Sequence, residues 1–242
     1  MDQLDRMEEL KDSLEIAQAN GDKVAEAAAL HGIGRIYFME KAYDAAEEYL
    51  GQCVQICRES GQQEGLAQTL IDLCDLAVVL EDFKSAEDFL RESLQIYQEL
   101  DLLQGQARVL DRIADLTFKR GDLDKAISFA SQGQNLCRKS ADRIGSIYFL
   151  EKIIPLYKSK GAVDNVEACY RDLITLSEDL GDKERMALGL AGLADLYERV
   201  GKPKEAVPCL EMAHDIYLRL GKEKEAGLIR DHLKELGFCN PR

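Results

Sequence analysis

Apolar residues recur along the chain in triplets spaced three apart, as Leu30, Ile33 and Ile36, then Leu70, Leu73 and Leu76, and onward to Leu190, Leu193 and Leu196. That spacing marks one face of an α-helix. The triplets lie forty residues apart, and Leu110, Ile113, Leu116 and Leu150, Ile153, Leu156 complete the series without an insertion or deletion. Five repeats follow, over 21–60, 61–100, 101–140, 141–180 and 181–220. Small residues, Gly34, Cys74, Ala114 and Ala194, sit directly after the middle member of four of the triplets. A second helix is predicted in each repeat from Ala46, Ala86, Ala126 and Ala206, with Ile56, Ile96, Leu136, Leu176 and Ile216 ten residues later. Glycines punctuate the two helices, Gly121, Gly161 and Gly201 between them and Gly21, Gly61, Gly181 and Gly221 at the repeat starts, where a left-handed cap suits glycine. Asp101 and Ala141 fill the two remaining starts.

Both ends fit this frame. Residues 1–20 form a half repeat equivalent to a lone second helix, with Leu10, Leu14 and Ile16 in core positions and Arg6 where the inward alanine belongs. Residues 221–242 supply a capping first helix, in which Arg230 and Lys234 replace apolar residues while Leu233 and Leu236 keep the inner face. Such polar substitutions keep the outer face of a terminal repeat wet. The frame predicts about twelve helices in an all-α solenoid, one domain over 1–242. Pro155 falls mid-helix in the fourth repeat and predicts a kink, because it removes a backbone hydrogen bond and crowds the carbonyl of Glu151. Val166 replaces the small alanine of the second helix there and predicts local spreading.

The recurring set Leu30, Ile33-Gly34, Tyr37, Ala46, Leu50 and Cys53, matched by Leu190, Leu193-Ala194, Tyr197, Ala206, Leu210 and Ala213, resembles the tetratricopeptide repeat. The forty-residue period is similar to that of Partner-of-Inscuteable-type scaffolds and of some bacterial regulators. The resemblance implies a right-handed α-solenoid whose first helices line a concave, partner-binding surface.

Composition narrows the functions. A net charge of -14 repels phosphate backbones, and with no Lys/Arg-rich stretch to offset it, nucleic acid is excluded as a partner. No apolar run reaches the length of a membrane span, so direct membrane insertion is not expected, and a cytoplasmic location is. The seven cysteines lack paired CxxC spacing, and the repeat register places most of them in core positions as reduced thiols. His31, His214 and His232 occupy different positions of different repeats, which leaves no pair at metal-ligand spacing. No nucleophile, base and acid can be assembled, so no catalytic residue, cofactor or metal site is expected.

What the core does not absorb is an apolar stripe on the outward face of the first helices. Phe38, Val78 and Phe118 share one repeat position, Met39 follows Phe38, and Ile71 lies a few residues earlier in its repeat. Asp75 and Asp115, with Asp111 one turn before Asp115, give the stripe an acidic border. In the fourth and fifth repeats the equivalent positions turn polar, as Lys158, Ser159, Glu198 and Arg199. These eight residues are the expected site for a protein or peptide partner of basic or amphipathic character. Asparagines that hold a peptide backbone in many family members are replaced here by Arg35, Asp75, Asp115, Pro155 and Asp195. Clamping of a C-terminal carboxylate has three of its basic positions, in His31, Arg108 and Arg112, but Arg35 and Asp72 stand where asparagines are needed. The leading expectation is a non-enzymatic scaffold or adaptor. The alternatives are an effector-sensing regulatory array and a self-associating scaffold that forms homo-oligomers.

Overall fold

The computed structural model describes residues 3–237, and among these every regular element is an α-helix. The helices are α1 (Gln3–Asn20), α2 (Lys23–Met39), α3 (Tyr43–Ser60), α4 (Gln63–Val79), α5 (Phe83–Glu99), α6 (Leu103–Lys119), α7 (Leu123–Lys139), α8 (Arg143–Lys160), α9 (Val163–Leu180), α10 (Lys183–Arg199), α11 (Pro203–Arg219) and α12 (Glu223–Glu235). This is the expected all-α repeat fold of the solenoid class. Met1 and Cys239 lie outside the described residues. Two compact units are present, Met1–Leu136 and Cys137–Arg242, with α7 divided between them.

The turns explain why the period never slips. Each places one residue in the left-handed region: Gly21, Gly61, Gly121, Gly161, Gly181, Gly201 and Gly221, and also Lys41, Glu81, Asp101 and Ala141 at φ 62°, 62°, 51° and 56°. The next amide then donates back to a carbonyl five residues earlier, as from Asp22 to Ala17 at 2.9 Å and from Lys202 to Tyr197 at 2.8 Å. That closure satisfies carbonyls that a helix end would otherwise orphan. The residue after the left-handed one often caps the following helix. Asp22, Asp82, Asp142 and Asp182 accept from amides two or three residues on. The backbone closure recurs at the turns between the described helices, whereas the side-chain cap is present at only some of them, with none from Ala42, Gln62, Leu102, Ala162, Lys202 or Lys222.

In the first unit α1 to α6 pack in sequence, and α4 also touches both α2 and α6, giving a layer of first helices. Gly34 shows why the position after the middle apolar residue is small: a Cβ there would lie 2.8 Å from Leu50 Cγ and 3.3 Å from the Leu50 backbone nitrogen. The core runs through Leu30, Cys53, Leu70, Cys74, Leu90 and Tyr97, all of them buried. In α1 Arg6 is exposed. Ile16 is a correction, for it is 62% exposed while Met7 and Ala17 take the inward positions. Among the described helices α1 packs on α2 alone, so its inward arc is narrow, and Ile16 falls outside it.

In the second unit α8 packs on α9, α9 on α10, α10 on α11 and α11 on α12. Leu150, Ile153, Leu190, Leu193, Ala194, Ala206 and Leu210 form its buried face. Val166 is accommodated at 1% exposure in place of an alanine. Pro155 lies inside an α8 that runs unbroken from Arg143 to Lys160, and the Ser159 hydroxyl donates to the Pro155 carbonyl at 2.9 Å. In α12 Arg230 and Lys234 are exposed and Leu233 is buried.

Candidate functional site

On the layer formed by α2, α4 and α6, the residues of the predicted site divide into two groups. Asp75, Val78, Asp115 and Phe118 come together, lining with Cys74 and Arg112 a cavity of about 340 Å³ between α4 and α6. Phe118 is 53% exposed at its mouth and Val78 is half-buried. Met39 is exposed at the end of α2, while Phe38 leans inward against Tyr43, with ring centroids 6.1 Å apart, and onto the cluster of Ala46, Leu50, Leu73 and Leu76. Phe38 therefore contributes an edge rather than a face.

Ile71 and Asp111 form the second group, and both are buried, at 4% and 5% exposure. Their repeat position points sideways along the layer, so the neighbouring first helix covers it. They border a polar cavity of about 250 Å³ shared with Arg35, Gln68, Asp72, Arg108 and Arg112. Polar contacts lace this cavity across the helices: His31 Nε2 lies 2.5 Å from Asp72 Oδ2, and Arg108 Nη1 donates to Gln68 Oε1 at 2.5 Å. Each basic residue of the carboxylate-clamp pattern is thus already engaged.

Arg112, which the sequence marks only as one of three basic positions, holds the centre. Its Nε lies 2.8 Å from Asp75 Oδ1 on α4, and its Nη1 donates to Asp111 Oδ2 at 3.1 Å. The Nε–H finds no well-directed acceptor, so the contact with Asp75 is an ion pair with poor hydrogen-bond geometry. Burial pushes the Asp75 carboxyl up from its ordinary value, and the Arg112 guanidinium opposes that rise. Arg112 itself is pushed up by Asp75 and Asp111 against the effect of its own burial. Asp75 and Asp115 thus share their cavity with two cations, Arg112 and Lys119.

Cys53, Cys57, Cys74, Cys137 and Cys169 are buried and behave as small apolar residues. Cys53 donates to the Ala27 carbonyl at 3.3 Å, and burial pushes the thiols of Cys57 and Cys74 up to about 12. Among the described residues no cluster of His, Cys, Asp or Glu is arranged to hold a metal ion. No helix among them is long and apolar enough to cross a membrane.

A further surface in the second unit escaped the sequence reading. Tyr148, Leu188 and Leu228 occupy the same repeat position on α8, α10 and α12 and are 47%, 56% and 65% exposed. The stripe thus does not simply fade after the third repeat; a different position becomes apolar. Reading that single position down all the repeats, as Ala28, Gln68, Arg108, Tyr148, Leu188, Leu228, would have revealed it.

Comparison with known proteins supports the architecture. Residues 27–60 match the family model described as tetratricopeptide repeat. Among solved structures, BtubC (BKLC) of P. vanneervenii superposes with a TM-score of 0.74 at 15% identity, over 91% of this chain and 93% of that one. A Rap protein complexed with Competence and Sporulation Factor gives 0.63 at 12% identity, over 96% of this chain and 69% of its own. A signal transduction ATPase from Pyrococcus horikoshii with a tetratricopeptide repeat sensor gives 0.65 at 16% identity, over 85% of this chain and 31% of its own. At such identities the likeness is one of fold. A search of curated proteins finds no match.

Proposed function

We propose that this chain, built from tetratricopeptide-type repeats, is a non-enzymatic adaptor that holds a peptide or helical segment against the α2, α4 and α6 layer. The observation that carries the reading is the cavity between α4 and α6, where a half-exposed Phe118 and Val78 stand beside Asp75 and Asp115. An apolar side chain fits the aromatic mouth, and a Lys or Arg next to it competes with Arg112 for the carboxylates. The partner is accordingly amphipathic with a basic edge. Buried cysteine thiols held protonated at neutral pH, and histidines paired singly with carboxylates, offer no assembled nucleophile, which favours binding over catalysis.

The reading is tested by affinity capture with the wild-type protein and with Phe118→Ser, using Val24→Ser as a control at another exposed apolar site on α2. Proteins retained by the wild type and by Val24→Ser, but lost with Phe118→Ser at unchanged helicity, support it. A capture profile indifferent to Phe118 rejects it.

A further inference from the structure

The fifth repeat carries a cavity that the proposed peptide surface does not use. It has a volume of about 290 Å³, is walled by Met186, Met212, Ile216 and Leu220, and is rimmed by Lys183, Arg219 and Asp215. Lys183 begins α10 and Arg219 ends α11. The same two positions hold complementary charges in other repeats: Lys23 feels Glu59 in the first, and Arg143 lies 3.7 Å from Asp179 in the fourth. In the fifth both are cations, and among the described residues neither has an ionic partner. Nearby carboxylates are engaged elsewhere, Glu184 by Lys222 and Asp182 by Arg185. Asp215, the one acid on the rim, lies 3.6 Å from His214 Nδ1.

The wall is equally specific to this repeat. The position of Met212 holds Glu92 in the second repeat and Asp172 in the fourth, each paired with an arginine of the preceding second helix, Arg58 at 2.8 Å and Arg138 at 2.5 Å. Here that ion pair has given way to a thioether, and Met212 remains 48% exposed. An apolar wall with two unpaired cations at its edge is complementary to a ligand with an apolar tail and one negative charge.

We infer that this cavity between α10 and α11 binds a small amphipathic monocarboxylate, its alkyl chain against Met186, Met212, Ile216 and Leu220 and its carboxylate between Lys183 and Arg219. Methionine suits the wall because its flexible, polarisable chain adapts to an apolar guest. Asp215 is the residue that limits affinity.

The protein contains its own reporters, since Met186 and Met212 line the cavity while Met7 and Met39 lie in the first unit. Octanoate is titrated into protein labelled with ¹³C at the methionine methyls, with octan-1-ol as the uncharged match. The Met186 and Met212 resonances shift together and saturably, with Met7 and Met39 unmoved. Replacing both cations, as Lys183→Gln with Arg219→Gln, weakens binding roughly fivefold, the scale of two exposed ion pairs. Asp215→Asn tightens it. The inference is overturned if octan-1-ol binds as well as octanoate, if all methionines shift alike, or if no saturable shift appears at Met186 and Met212.

Discussion

Gly105 is the third residue of α6, and the ring of Tyr97, at the end of α5, lies against it. A Cβ added there would fall within the contact radius of ring carbons Cδ1 and Cε1 and 2.6 Å from Cγ. Tyr97 is fully buried and its hydroxyl accepts from Arg108 Nη2 at 3.2 Å, so the ring has little freedom to retreat. Overpacking of this kind costs about 1–3 kcal/mol. Replacing a helical glycine by alanine returns up to about 1 kcal/mol, less near a helix start. Gly105→Ala is therefore destabilised by about 1–2 kcal/mol. Gly65 is the internal control, for it holds the same position in α4 and its added Cβ would lie 3.3 Å from Cys57 Sγ, a contact one sulfur can relieve. Gly65→Ala is neutral or slightly stabilised. Guanidinium unfolding followed by circular dichroism, with hydrogen exchange on α5 and α6 to localise the change, measures both. Equal effects of the two substitutions would refute the idea that the residue closing one repeat sets the size allowed at the start of the next.

Three further outcomes follow from the same geometry. Ala141→Gly relieves a left-handed residue with a side chain, raising stability by up to about 1 kcal/mol in thermal melts, whereas Gly181→Ala at the equivalent turn lowers it by about as much. The Asp82 and Asp122 carboxyls lie below their ordinary range, held down by hydrogen bonds from the Ser85 hydroxyl and the Lys125 ammonium respectively. Because the folded values are depressed, their contribution is fully present above the unfolded carboxylate value and is lost as pH falls below it toward the folded values; Asp82→Asn with Asp122→Asn flattens the melting-temperature profile below about pH 4. Arg112→Gln removes the cation that lies beside Asp75 and Asp111 and costs about 1 kcal/mol, discounted for partial exposure. That deficit shrinks as pH is lowered, since protonating Asp75 removes the repulsion, and melts at pH 7 and pH 5 compare the two.

Helices, turns and most of the core were legible in the sequence because a forty-residue period repeats each decision five times, and errors in one repeat are corrected by the others. Cys57, Tyr97, Cys137 and Tyr217 share one position, and all are buried. Ile16 went wrong in α1, which among the described helices packs on α2 alone. The surface was harder to read. A helical wheel assigns Ile71 and Asp111 to an outward face, but it treats each helix alone and does not register that α2, α4 and α6 flank one another. Arg112 was noticed only as one basic residue among three. Its place between Asp75 and Asp111 depends on the lateral offset of adjacent repeats, which periodicity along one helix does not carry.

The most direct test of the adaptor reading is selection from a displayed library of random peptides against the intact protein, followed by affinity measurement of the enriched sequences. Enriched peptides carrying an apolar anchor beside Lys or Arg, weakened about tenfold by Phe118→Ser and by Asp115→Asn, are the predicted result. Peptides that bind equally to wild type and to both variants, or a selection that enriches nothing, would contradict it.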